Sequence, residues 1–203
     1  MNKIAIDVVL LPPKEVASKA ISISRKLAET SGNRTVVLGK QDYLPHVSLC
    51  MGVVKEEDLP KVNEALSDIA SQTAALQLAI DGIKAHDIPT GEKLAVLEFA
   101  DTASLQSLHE TIMQRLRPFL TYDDMDSSMF VSSPEAAPVS MKWVRDFDTL
   151  YHNPEQFYPH LTSGFGTHSD FSFPISFEAN TLAVCQLGNY CTCRKKLATF
   201  ELA

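Results

Sequence analysis

Two short segments, Tyr43-Leu44-Pro45-His46-Val47-Ser48-Leu49 and Phe157-Tyr158-Pro159-His160-Leu161-Thr162-Ser163, repeat one order of residue types: proline, histidine, an aliphatic residue, a hydroxyl. A strand has a period of two, so in each copy the histidine and the hydroxyl share one face while the aliphatic residue between them turns to the core. The chain must therefore supply two strands with one apolar and one polar face, one in each half of the sequence. Around the first copy the pattern extends over residues 46–54, where Val47, Leu49, Met51 and Val53 alternate.

The other elements follow from the same test of period. Residues 3–11 (KIAIDVVLL) are β-branched and apolar and form a first strand, which Pro12-Pro13 stops. Over residues 14–30, Val16, Ala20, Ile23 and Leu27 recur at helical spacing, closed by Gly32-Asn33. Residues 35–38 read as a short strand. Leu59, Val62, Leu66 and Ile69 give a second helix with Pro60 in its first turn. Residues 75–83 and 93–100 read as strands about a Pro89-Thr90-Gly91 turn. Leu105, Leu108, Ile112 and Leu116 mark a third helix, capped by Asp101 or Thr102 and ending near Pro118. Residues 121–138 are acidic, then Ser/Pro-rich, and are assigned to a loop. A short helix over 139–150 and strands over 159–165, 175–177, 181–187 and 190–201 complete the pattern, the last two a hairpin through Gly188-Asn189. Paired strands between helices indicate the α+β class rather than an alternating parallel sheet.

With 203 residues, 45% of them hydrophobic and 21% charged, the chain suits one compact unit. Its formal net charge of −7 opposes a long polyanion, so no long nucleic-acid groove is expected. A small pocket can still hold one phosphate, because charges beyond about 10 Å are screened. No apolar run approaches the roughly 20 residues that cross a bilayer, and the start, interrupted by Asp7, reads as a strand rather than a leader. The four cysteines lack disulfide-dense spacing and are expected as reduced thiols of a cytoplasmic protein. Cys185, Cys191 and Cys193 lack the spacing of a structural zinc site and read as small buried strand residues, so no metal and no cofactor is expected. Nor is there a glycine-rich phosphate or dinucleotide fingerprint. The sequence leaves the oligomeric state open.

Two strands of the repeated kind, brought together, would set two imidazoles on either side of one anion, with two hydroxyls for its nonbridging oxygens. Phosphoester cleavage needs one proton removed from the attacking oxygen and one delivered to the leaving oxygen, and histidine titrates near neutral pH. His46-Val47-Ser48-Leu49 and His160-Leu161-Thr162-Ser163 resemble the paired His-x-Ser/Thr-x motifs of the two-histidine (2H) phosphoesterase superfamily, which includes bacterial 2′-5′ RNA ligase-like proteins and cyclic nucleotide phosphodiesterases. The resemblance implies one bilobal unit over residues 1–203: two pseudo-symmetric lobes, each an antiparallel sheet backed by helices, about a central cleft. It implies metal-free hydrolysis of a 2′,3′-cyclic phosphate or a related small nucleotide or RNA-end phosphodiester. The alternatives are transesterification of the 2′-5′ RNA ligase kind and nucleotide binding without turnover. It carries over His46 and His160 as general acid and base, in either order, and Ser48 and Thr162 as phosphate ligands.

Other residues are open to two readings. Tyr43 and Tyr158 precede the motifs and either stack on a base or sugar or pack at strand ends. Arg194, beside Lys195 and Lys196, either supplies charge to the phosphate or keeps an edge strand solvated. His86, His109, His152 and His168 have no matching partner and read as surface or loop residues.

Overall fold

The computed structural model describes residues 2–131, 138–167 and 171–203. Its strands are β1 (Lys3–Leu11), β2 (Val47–Lys55), β3 (Leu76–Asp87), β4 (Lys93–Phe99), β5 (His160–Phe165), β6 (Ile175–Ala179), β7 (Thr181–Leu187) and β8 (Cys193–Glu201). They form one antiparallel sheet in the order β6-β3-β4-β5-β2-β1-β7-β8. The helices are α1 (Lys14–Ser31), α2 (Leu59–Gln72), α3 (Ala103–Leu116) and α4 (Pro138–His152). None of the described helices is long and apolar enough to cross a membrane. The α+β class holds, with both halves of the chain carried by one continuous sheet.

The two motif strands are neighbours at the middle of that sheet, joined through the pairing of Val47 with Leu161. About this pairing, β1-α1-β2 and β4-α3-β5 are equivalent runs. The helices cross over: α1 packs on β5 and α3 on β2. Each motif strand is thus backed by the helix of the other half. Val47, Leu49 and Leu161 are buried with Ile6, Leu10 and Leu105 in the main core between sheet and helices. On the opposite face, two smaller clusters flank the motif strands, one built on Val9, Ala183, Cys185 and Cys193 and the other on Val36, Leu94, Val96 and Phe165.

Both motif strands carry a β-bulge directly after the hydroxyl. Val9 pairs with Ser48 and Val8 with Cys50, so Leu49 is the extra residue in β2. Val96 pairs with Thr162 and Ala95 with Gly164, so Ser163 is the extra residue in β5. A bulge reverses the alternation of the strand beyond it. The expected uninterrupted face of Val47, Leu49, Met51 and Val53 therefore breaks after Leu49, and Met51 faces the same side as Ser48.

Most element expectations hold within a few residues, with physical reasons for the departures. Residues 35–38 are not a strand, because the Leu38 N–H donates to Ser24 Oγ of α1 at 2.9 Å instead of to a ladder. The last strand begins at Cys193 rather than residue 190, since Tyr190 and Cys191 take left-handed φ values of 56° and 51° in the turn. Asp101 caps α3, its Oδ1 accepting from the Ala103 N–H at 2.9 Å. Of the expected loop at 121–138, residues 132–137 lie outside the described residues, as does His168. The expectation of four reduced thiols fails for Cys185 of β7 and Cys193 of β8, whose Cα atoms lie 5.5 Å apart and which are joined as a disulfide, while Cys50 and Cys191 are free and buried.

Gly164 shows how tightly β5 is held against the segment that follows α1. It has φ +126°, and a Cβ there would meet the Val36 carbonyl oxygen at 2.9 Å. Gly164→Ala is expected to destabilise the protein by about 1–3 kcal/mol and to lower Tm by several degrees, measured by thermal unfolding. Loss of less than a degree would mean that the bulged end of β5 is free to move.

Candidate active site

The histidine of each motif sits at the start of its strand, preceded by proline, which restricts its own φ and holds the residue before it extended. The carbonyl two residues upstream is thereby turned onto the imidazole. Nδ1 of His46 donates to the Leu44 carbonyl at 2.7 Å, and Nδ1 of His160 donates to the Tyr158 carbonyl at 2.8 Å. Because a carbonyl can only accept, both rings carry their proton on Nδ1 when neutral and keep Nε2 for chemistry.

His46, Ser48, His160 and Thr162 line one cavity of about 390 Å³, together with Tyr43 and Tyr158. In the antiparallel register set by Val47 and Leu161, His46 lies across from Thr162 and Ser48 across from His160. The remaining wall is largely apolar, with Trp143, Phe147 and Leu150 presented by one face of α4. Burial pushes the pKa of His46 below its ordinary value, and the charge of His160 adds to this. Burial likewise pushes His160 down, with help from His86.

The surroundings of the two rings differ. Next to His46 lies Asp7 of β1, wholly buried, with Oδ2 3.8 Å from His46 Nε2 and 2.6 Å from Ser48 Oγ. Burial raises the Asp7 carboxyl well above the usual carboxylate range, against the lowering effect of its hydrogen bonds with Ser48 and the Cys50 backbone. His160 instead packs against Tyr158, ring centroids 5.4 Å apart. The Tyr158 hydroxyl donates to Glu98 and lies 3.3 Å from His86 Nε2. That bond is the main cause of the lowered Glu98 pKa.

The structure moves three residues from their expected places. Arg194 does not line the cavity: its guanidinium pairs with Asp42 and lies over the Tyr43 ring at 4.4 Å, bracing a tyrosine that has φ 54°. His86, expected on the surface or in a loop, lines the cavity from β3. His109, expected in the same places, is wholly buried on α3. Its Nδ1 donates at 2.6 Å to the carbonyl of Leu49, the bulge residue, and its ring stacks on Phe157 at 3.9 Å. It thus ties the first motif to the lead-in of the second. Neither His86 nor His109 belongs to any repeat, and only the isolated charge of Asp7 inside an apolar strand was a signal for the third missed residue.

With this fold and this pair of rings, the chain is a two-histidine phosphoesterase-type protein. The family model of the 2′-5′ RNA ligase superfamily matches residues 39–172, and the chain belongs to that family. Among solved structures, TT0787 of Thermus thermophilus is 15% identical with a TM-score of 0.61, the match covering 98% of each chain. E. coli LigT complexed with phosphate is 13% identical with a TM-score of 0.59, covering 100% of this chain and 99% of that one. LigT complexed with ATP is 12% identical with a TM-score of 0.58 over the same shares. At these identities the likeness is one of fold. No curated protein matches the sequence.

The lowered pKa values of His46, His160 and the buried His109 carry a sign. Below the ordinary histidine value of about 6.5, the unfolded chain binds protons that the native state refuses, so stability falls as pH falls through that window. The raised pKa of Asp7 acts in the opposite sense, so the histidine contribution is read as a difference: between pH 7.5 and 5, the urea-unfolding free energy is expected to fall more in the parent than in His46→Gln and His160→Gln. A slope unchanged in both variants would mean that the rings titrate normally in the folded protein.

Proposed function

We propose that the protein is a metal-independent phosphoesterase that hydrolyses a 2′,3′-cyclic phosphate or a related small cyclic phosphodiester. The observation that supports this most is the matched pair of Nε2 atoms, each held by the same Nδ1 anchor, beside two hydroxyls in one cavity. One neutral ring takes a proton from water through Nε2 as its oxygen bonds to phosphorus. The other, protonated, gives its Nε2 proton to the ribose oxygen as the P–O bond breaks. The rings exchange protonation states in each turnover and reset through solvent. Ser48 and Thr162 hold the nonbridging oxygens, and Tyr43 and Tyr158 line the entrance for the sugar or base. An alcohol in place of water would make the same site a transesterase of the ligase kind, which product analysis separates.

A small substrate suits a cavity of about 390 Å³ and a net charge of −7. E. coli LigT structures include complexes with ATP and 3′-AMP, and this chain is proposed to take ligands of nucleotide size. We place the enzyme in the cytoplasm on composition, where the reducing thiol pool would act on the Cys185–Cys193 bond.

His46→Gln and His160→Gln are each expected to cut turnover of a nucleoside 2′,3′-cyclic phosphate by about 10²–10⁴ or more, and the double variant to lose little beyond the worse of the two. Dialysis against EDTA should leave the parent activity in place. Near-parental turnover in either histidine variant would end the two-histidine scheme.

The pH profile offers a second check. Both rings are pushed down in the free protein, so the bell-shaped profile of kcat/KM should peak below about pH 6.5. The bound anion favours imidazolium and should move the kcat profile to higher pH. A kcat/KM maximum above about pH 8 would contradict the assignment of both limbs to these rings.

A further inference from the structure

Asp7 occupies a position that the fold does not need to be acidic. In β1 it stands opposite Met51, two residues before Val9, which faces Ser48. In the equivalent run, Leu94 stands opposite Phe165, two residues before Val96, which faces Thr162. The same place is thus aliphatic in one half and a wholly buried acid in the other. Of its two oxygens, Oδ2 meets Ser48 Oγ at 2.6 Å, while Oδ1 is buried with no hydrogen-bond partner among the described residues.

The protonation state of Asp7 decides what Ser48 can offer the cleft. An ionised Asp7 accepts the one hydrogen bond the Ser48 hydroxyl can donate and leaves only oxygen lone pairs toward the anion, with a second negative charge directly behind them. A neutral Asp7 reverses the bond: its O–H donates to Ser48 Oγ, and the Ser48 proton turns outward. An unpartnered Oδ1 is also far less costly on a neutral acid than on a carboxylate. Burial acts in the same direction and outweighs Ser48 and the Cys50 backbone N–H, which favour the carboxylate.

We propose that Asp7 is a positioning residue that works as a neutral acid, donating to Ser48 Oγ so that the Ser48 hydroxyl proton is directed at a nonbridging oxygen of the bound phosphate. This rests on the reading of the cleft as a phosphodiester site. It also makes the first motif a two-part donor, Asp7 through Ser48, where the second uses Thr162 beside Leu94. The groups that face Asp7 are His46 and Cys50 from β2, His160 beyond His46 from β5, and Cys191 from the turn before β8, on which Asp146 of α4 also acts. Cys185, opposite Asp7 on β7, is held in its disulfide. Burial pushes both free thiols up, and the two rings lose their protons in the parent and in Asp7→Asn alike, so the part of an alkaline loss of phosphate binding that Asp7→Asn removes belongs to Asp7.

The test has one arm independent of any substrate. In protein labelled with 13C at the aspartate side-chain carboxyl, the resonance that disappears in Asp7→Asn is expected at the position of a neutral acid at pH 7. An ionised carboxylate there overturns the proposal. The second arm measures inorganic phosphate affinity and cyclic phosphate turnover in Asp7→Leu, Asp7→Asn, Ser48→Ala and the Asp7→Leu/Ser48→Ala double variant. Asp7→Leu, which copies Leu94, is expected to weaken phosphate binding about ten- to a hundredfold, as Ser48→Ala does, with no further loss in the double variant. Asn, whose amide N–H can donate to Ser48 Oγ, should restore most of that loss and flatten the alkaline fall in phosphate affinity. If Asn loses as much as Leu, or if the double variant loses the sum, Asp7 does not act through Ser48 as a neutral donor. A parent protein that binds phosphate with this pattern but cleaves no cyclic phosphate would refute the proposed activity and leave the role of Asp7 standing.

Discussion

Everything at the candidate site depends on one antiparallel contact, Val47 against Leu161. It is the seam between two equivalent β-α-β runs, and it brings two short polar segments from distant parts of the chain to a common cavity. Around it the fold repeats the same devices: a proline that turns a carbonyl onto a histidine, a strand that alternates for three residues, then a bulge. The symmetry is one of backbone. The side chains next to each ring are different, and that difference is where chemistry can be divided between two otherwise similar groups.

The asymmetry has a consistent direction. On the His46 side Asp7 and the thiols of Cys50 and Cys191 are buried, with Ser48 half-buried between Asp7 and the cleft. On the His160 side they lie at the rim, where Tyr158 is 44% exposed and shares its hydroxyl between Glu98 and His86. One ring therefore sees groups that burial keeps neutral, and the other sees ionic groups in contact with solvent. A cleft built this way holds one anion from two electrostatically unlike sides.

Much of this was legible in the sequence because it is local. Helical spacing placed α1, α2 and α3, and the repeat placed both histidines and both hydroxyls on the cavity-facing side of their strands. What escaped was set by partners distant in sequence. A period-two pattern has no symbol for an extra residue, so the bulges at Leu49 and Ser163 were invisible until β1 and β4 were in register beside them. Arg194 stood out as a basic cluster, yet Asp42 and the Tyr43 ring hold it. Asp7 registered only as an interruption in an apolar strand, since its meaning depends on which hydroxyl the sheet brings against it. The cysteine count gave no hint that β7 and β8 would set Cys185 beside Cys193.

The crossing of the helices has a consequence for how such a chain holds together. Because α1 covers β5 and α3 covers β2, neither half possesses a complete apolar interior of its own. Each lends its helix to its neighbour and receives one in return, so a severed half would expose the backs of its own central strands. Pulling the halves apart therefore means emptying both interiors at once. The seam that carries both histidines therefore parts only when both interiors do.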